Sequence, residues 1–403
     1  MEREDGIAAH PIRFSLMTAI AVREIEASAL PNGLELPGYQ RALLLIRYHG
    51  RAVGHGEVAV SAGRIDVRKL RQAVVDYGGS MIAHRRLEEL LHVEPVSTEP
   101  PSCTVAVCTR DRPEDLALCL EALMALPDEG QEFLVIDSAS KSAATRDLVA
   151  RYPRVRYIRE ERPGLDRARN RALREATREV VAYTDDDAVP DAEWLRALSR
   201  GFTSPRIMAV TGLTIPLELE TEAQIWFERN HGFGRGYWPR VFDGLEVDAF
   251  TVAKIGAGVN MALRRSVLEL IGPFDEALDA GTPSQSGGDH DIFSRILAAG
   301  YSIGYEPGAL SRHRHRREWA ELERAVYGYG VGVYAFITSQ VLRGEWSAPW
   351  LALRWMPWQL RLLVRGLLGR PGGVPLHLAL TELRGCAAGA FAYIRARRRL
   401  ETR

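Results

Sequence analysis

From Cys103 onward, short apolar runs alternate with amphipathic segments, and this alternation constrains the chain more than any other feature. Residues 104–108, 133–137, 155–158 and 180–184 read as strands. Residues 114–126, 142–151 and 166–177 carry apolar side chains at helical spacing. A βαβα order of this kind predicts an α/β fold, a mostly parallel sheet covered by helices. Ligands in such open sheets bind beyond the carboxyl ends of the strands. The carboxylates at those ends are therefore the ones that bear on function.

The 403 residues exceed what one compact core usually holds. Hydrophobic content of 46% and charged content of 26% fit a globular chain. Zero formal net charge gives no global field toward nucleic acid, and no nucleic-acid partner is expected. A loop-like run at 96–102 separates a small N-terminal α+β domain, residues 1–100, from the α/β domain, residues 101–320. In the first, 42–48 and 56–60 read as strands, 49–54 as a turn, and 66–77 and 83–91 as helices; no residue pattern there carries chemistry. The four cysteines have no metal spacing, which suits a reduced, cytoplasmic chain. The first residues lack the charged-then-apolar layout of a signal peptide. No run of about 18 uncharged apolar residues predicts a transmembrane helix.

Residues 321–403 read as a helical extension. Of the basic residues only Lys69, Lys141 and Lys254 are lysines; from Ser311 to the end, 16 arginines face 6 glutamates. On a helix over 351–369, Arg354, Arg361 and Arg365 fall within roughly 40° of one another. The other face is Leu, Val and Trp, with Trp350, Trp355 and Trp358 near its start. Such a helix lies in a membrane interface or packs on the main domain with its arginines outward. Pro357 is expected to kink or delay it.

Several clusters carry candidate chemistry. Asp185, Asp186 and Asp187 end the strand at 180–184, and three adjacent carboxylates there suit a divalent cation. Asp137 ends another strand, placed to accept hydrogen bonds from a ribose or base, or to hold a turn. Thr109, Arg110, Asp111 and Arg112 follow the first strand and lack the glycines of a phosphate loop. Arg167, Arg169 and Asn170 open a helix where a diphosphate can be met; Arg171 and Arg174 read as surface charges. Asp289 and Asp291 follow Gly287 and Gly288 before a helix at 292–299. One of the two suits a general base and the other a helix cap; Asp289 is assigned the base and Asp291 the cap. Asp191 is expected at a helix N-terminus. His313 or His315 can complete a metal shell.

Taken together these segments resemble family 2 glycosyltransferases of the GT-A fold, over roughly residues 101–320. The segments are Thr104 to Pro113, Val135 to Ser140, Gly164 to Asn170, Tyr183 to Pro190 with its DXD-like triplet, Trp194-Leu195, Gly258 to Arg265, Gly272 to Glu276 and Gly288 to Arg295. The resemblance implies an inverting transfer from a nucleotide sugar to an acceptor hydroxyl, with Mn²⁺ or Mg²⁺. It implies that Asp137 contacts the nucleoside beside Thr109 and Arg169. Asp185, Asp186 and Asp187 would hold metal and donor, with His313 as a further ligand. Asp289 would deprotonate the acceptor, with Asp291 as the alternative base. The metal would take the place of a general acid on the leaving side. The usual Glu before the base is Gly288 here, and the Gln340 to Gly344 stretch lacks the Trp of the processive enzymes' QxxRW motif, so single-sugar transfer is expected. The acceptor would be lipid-linked or a small molecule, and the location cytoplasmic or peripheral at the inner membrane face. Two other readings compete. A sugar nucleotidyltransferase wants a Gly-rich basic loop after the first strand, which is absent. A non-catalytic nucleotide-binding scaffold has no use for costly buried carboxylates.

Overall fold

A computed structural model of the protein describes residues 19–93, 100–248, 250–368 and 375–402. The N-terminal stretch and most of the expected linker at 96–102 lie outside the described residues. The first part holds β1 (Ile20–Glu26), β2 (Gly33–Glu35), β3 (Arg41–Tyr48), β4 (Arg51–Ala59), β5 (Arg64–Asp66), α1 (Val67–Ala73) and α2 (Gly79–Leu90). β3 lies between parallel β1 and antiparallel β4, and β2 pairs with β5. The broad turn expected at 49–54 shrinks to His49 and Gly50, both at positive φ (50° and 76°). Two such residues match the twist of a hairpin, so β4 starts at once. Periodicity did not indicate β1, whose polar Arg23 and Glu24 interrupt any alternation.

The main sheet is built from β6 (Cys103–Thr109), β7 (Glu132–Ser138), β8 (Val155–Glu160), β9 (Val180–Asp185), β10 (Ala188–Pro190), β11 (Ile207–Pro216), β12 (Arg240–Asp243), β13 (Asn260–Arg264) and β14 (Ser302–His313). Their order is β10-β14-β11-β13-β9-β6-β7-β8, with β12 on β14. β9, β6, β7 and β8 run parallel, as do β11 and β14; β13 is antiparallel to both its neighbours. Alternate residues face two cores: Ala106, Leu134 and Ile136 point to one layer, Val105, Val107 and Val135 to the other. Strands covered on both faces lose the polar alternation of half-exposed ones, which is why all ten residues of β11 are buried.

The helices between them are α3 (Pro113–Met124), α4 (Ala144–Val149), α5 (Leu165–Glu175), α6 (Trp194–Arg200), α7 (Glu222–His231), α8 (Val267–Leu270) and α9 (Gly288–Ala298). Buried polar groups fix the joints. The Trp194 indole donates to Asn260 Oδ1 (2.8 Å), and the Asn260 amide donates to the carbonyls of Leu213 and Ala309. Asp191 does not start α6; its carboxylate pairs with Arg47 (2.5 Å) and Arg312 (3.4 Å), tying the N-terminal sheet to the edge of the main one.

Three helices close the chain: α10 (Trp319–Leu342), α11 (Pro349–Leu367) and α12 (Leu376–Glu401). α11 continues through Pro357, so the expected delay does not occur. Glycines let α10 approach its neighbours closely. A Cβ on Gly332 would lie 2.5 Å from the Ser286 side chain, and one on Gly330 2.3 Å from the Glu382 carbonyl. α10 thereby packs on the segment that leads into α9 on one side and on α12 on the other. No described helix is long and apolar enough to cross a membrane.

Glu382, 4% exposed in α12, has no ion-pair partner among the described residues. Burial pushes its carboxyl up to about 7. A raised acid favours folding in its protonated form; that stability is complete below the ordinary glutamate pKa and is lost as pH climbs toward 7. Glu382→Gln should therefore unfold like the wild type at pH 4 and be more stable at pH 8, by up to about 3 kcal/mol. Thermal unfolding of both proteins at the two pH values checks this.

Candidate active site

The carboxyl ends of β6, β7 and β9 open onto a cavity of about 270 Å³. Its walls include Thr109, Arg110 and Arg112 after β6, Ser138 after β7, Asp185, Asp186 and Asp187 after β9, Gly164 and Leu165 at the start of α5, and Arg316 after β14. This is the position expected for a ligand in a sheet of this type.

The three adjacent aspartates have three different surroundings. Asp186 accepts from Thr109 Oγ1 (2.7 Å) and Arg112 Nη1 (2.9 Å), yet burial and the neighbouring Asp187 push it up to about 6. Asp187 pairs with Arg112 (2.8 Å), Arg316 (3.2 Å) and His313 Nε2 (3.2 Å). Burial alone would raise it; these three groups outweigh burial and hold it well below the usual carboxylate range. The Asp185 carboxylate has no hydrogen-bond partner among the described residues, and burial and Asp187 raise its pKa. Asp185, Asp187 and His313 each offer one ligand atom, all within 4.8 Å of one another. Two carboxylate oxygens and one imidazole nitrogen gathered in an otherwise repulsive cluster fit a divalent cation such as Mn²⁺ or Mg²⁺.

Other sequence candidates are engaged elsewhere. Asp137 is fully buried: Oδ1 accepts from the Ser140 amide (2.8 Å) and Oδ2 from the Tyr157 hydroxyl (2.7 Å), the contacts of a carboxylate that holds a turn. Asp111, at φ 57°, accepts from the Lys141 amide (2.7 Å) and pins the loop after β6 to the loop after β7. Arg169 is 4% exposed and bridges Asp166 (3.0 Å) and Asp279 (2.7 Å) instead of facing the cavity. Its neighbour Asn170 exchanges two hydrogen bonds with the Phe274 backbone. The Ala168-Arg169-Asn170 stretch is thus a clamp between α5 and residues 274–280.

Asp289 and Asp291 separate clearly. Asp289 is half-buried at the start of α9 and accepts from the Gly258 amide (2.9 Å) and the His290 amide (2.8 Å). Burial raises it, but His290, Arg169 and these two amides together leave it below the usual range, so it is a carboxylate at neutral pH. Asp291 does not cap the helix, whose N-cap is Gly287 and which has no side-chain cap. It lies inside the first turn, wholly buried, bound to Arg295 (2.8 Å) and to the Gln340 amide of α10 (2.8 Å).

Some residues of the site left no mark in the sequence reading. Asp166 reaches Gly288, where a family member would carry Glu: a Cβ on Gly288 would lie 2.0 Å from Asp166 Oδ2. That oxygen is buried without a partner, and burial together with Asp279 raises the carboxyl's pKa well above its usual range against the pull of Arg169. An acidic group from α5 thus lies where a side chain on Gly288 would be. Its three-residue spacing from Arg169 was a visible signal; Asp279 offered none. Tyr329 of α10 lies within electrostatic reach of Asp185, Asp187 and Asp289, and burial pushes it up to about 12.

Residues 104–272 match the sequence profile of glycosyl transferase family 2. The chain is a glycosyltransferase, and its sheet is of the GT-A type. An N-acetylglucosaminyltransferase of Sinorhizobium fredii is 27% identical over 300 residues, 72% of this chain and 68% of the relative. A pre-mycofactocin glycosyltransferase of Mycobacterium tuberculosis is 26% identical over 252 residues, 59% of this chain and 50% of the relative. The chain thus spans about half the length of the mycobacterial protein. Among solved structures, a Pyrobaculum calidifontis mannosyltransferase in complex with GDP-Man and Mn²⁺ shares the fold, with a TM-score of 0.50 at 18% identity, covering 77% of this chain and 94% of that one.

Gly288→Ala should destabilise the protein by about 1–3 kcal/mol, because the Asp166 carboxylate cannot retreat from Arg169. In an Asp166→Ala background the same change should cost at least about 1 kcal/mol less, since the two sites touch. Chemical denaturation of the four proteins of this cycle measures the coupling; additive effects would separate the two residues.

Proposed function

We propose that the protein is an inverting, metal-dependent glycosyltransferase that moves a single sugar from a nucleotide-sugar donor to an acceptor hydroxyl. The observation that carries this reading is the convergence of Asp185, Asp187 and His313 beside the cavity. These three residues would hold Mn²⁺ or Mg²⁺. When bound, the ion stabilises the negative charge that develops on the departing diphosphate. The Pyrobaculum mannosyltransferase, with its GDP-Man and Mn²⁺, supports a donor and a metal of these classes.

The chain's own residues supply the rest. Arg110, Arg112 and Arg316 line the cavity, and their planar forks suit phosphate oxygens. Thr109 orients Asp186, which keeps Arg112 beside Asp187. Asp289 is the acceptor's base: it is ionised, half-buried and fixed by two amides, so it takes a proton without reorganising. Asp291 is closed off by Arg295 and Gln340 and serves α9 and α10 instead. Base and leaving-group sites on opposite sides of the sugar are what inversion requires.

Asp187→Ala should abolish metal-dependent donor binding in calorimetry. Asp289→Asn should keep donor binding within a few-fold and lower transfer by about 10²–10⁴. Full transfer activity in Asp289→Asn would place the base elsewhere.

The C-terminal helices support a membrane-facing location. Trp350, Leu353, Met356, Leu360, Val364 and Leu367 recur every three or four residues of α11 and are 44–66% exposed. Arg354, Arg361 and Arg365 are exposed beside them. An apolar stripe flanked by arginines matches an anionic lipid surface, and a lipid-linked acceptor would be met there. The protein should sediment with vesicles containing anionic lipid, and Leu360→Glu with Val364→Glu should release it. Recovery of the wild type in the supernatant would refute the membrane contact.

A further inference from the structure

Behind the cavity, four side chains form an unbroken line. His313 Nε2 faces Asp187 Oδ1 at 3.2 Å. His313 Nδ1 faces His315 Nδ1 at 3.2 Å. His315 Nε2 meets Glu228 Oε2 of α7 at 2.9 Å. The two rings are fixed by aromatic neighbours: Phe233 packs edge-on against His313, with centroids 5.3 Å apart, and Phe227 lies 4.6 Å from His315. Glu228 ends the line at a second cavity, lined also by Leu43 and His55 of the N-terminal sheet.

Proton bookkeeping along this line has one consistent solution for neutral rings. A carboxylate only accepts, so His315 carries its proton on Nε2. Its Nδ1 is then bare and must accept. Two facing ring nitrogens at hydrogen-bond distance need one proton between them, so His313 carries it on Nδ1. His313 Nε2 is then a bare lone pair directed at the Asp187 carboxylate. Lone pair against carboxylate is repulsive unless a cation lies between them.

We propose that Glu228 and His315 are positioning residues that fix the tautomer of His313, presenting its Nε2 lone pair to the cation held with Asp185 and Asp187. The inference rests on the metal reading above. It extends that site by a carboxylate–histidine relay, since outer partners of a ligating imidazole set its orientation and raise its basicity. It also gives the N-terminal part of the chain a stake in the metal site, because its sheet covers the cavity where Glu228 ends.

The test titrates Mn²⁺ alone into the full-length chain. Free and bound ion are followed by electron paramagnetic resonance, and coupling to a ligand nitrogen by pulsed detection. Wild type should bind with a nitrogen coupling that His313→Ala removes. Glu228→Leu should lower Mn²⁺ affinity about 10–100-fold and weaken that coupling. Glu228→Gln, whose amide oxygen still accepts from His315, should restore most of both. His315→Phe keeps the ring packing and should match Glu228→Leu, and it carries the test if Glu228→Leu fails to fold. Wild-type affinity and coupling in a folded Glu228→Leu or His315→Phe protein would overturn the relay while leaving the metal site standing. No Mn²⁺ binding by the wild type, or binding that ignores His313→Ala, would overturn the metal reading and the relay with it.

Discussion

One buried guanidinium organises this molecule. Arg169 joins Asp166 on its own helix to Asp279 across the cleft, and its charge also reaches Asp185 and Asp289. Removing one partner of a buried, hydrogen-bonded ion pair typically costs about 3–5 kcal/mol, because the remaining charge is left without compensation. Arg169 therefore ties α5 to the segment before α9, and from there its charge acts on Asp185 and Asp289. Asn170, bonded to Phe274, repeats the same tie through neutral groups.

Around this anchor the acidic residues divide the work by environment. Asp187 sits against the positive charges of Arg112 and Arg316 and faces His313 Nε2. Asp186 is held by Thr109 and Arg112, and Asp185 faces the cavity with no hydrogen-bond partner among the described residues. Asp289 is set by backbone amides. Identical side chains thus differ in charge affinity because burial and neighbours differ. Groups pushed apart in this way are a common mark of functional sites.

Much of this was legible in the sequence because it was periodic or local. The βαβα alternation from Cys103 gave the parallel strands, and the Asp185 triplet at a strand end marked the cavity. What stayed hidden was long-range. Asp279 meets Arg169 across 110 residues, Glu228 meets His315 across 87, and nothing local signals either contact. Arg169 itself read as a phosphate ligand because an arginine at a helix start suits both roles, and only its burial distinguishes them. Asp291 read as a cap from its place before an apolar run, and the α10 residue Gln340 that claims it lies 49 residues on. The antiparallel β13 was also missed, since its five residues carry no mark of strand direction.

The account stands most directly on one calorimetric experiment: titration of a panel of nucleoside diphosphates and nucleotide sugars into the protein, with Mn²⁺ and again with chelator. It predicts that one nucleotide class binds, and that chelator abolishes or strongly weakens the binding. Equal binding in chelator, or no binding to any member of the panel, would contradict a metal-held nucleotide-sugar donor at Asp185, Asp187 and His313.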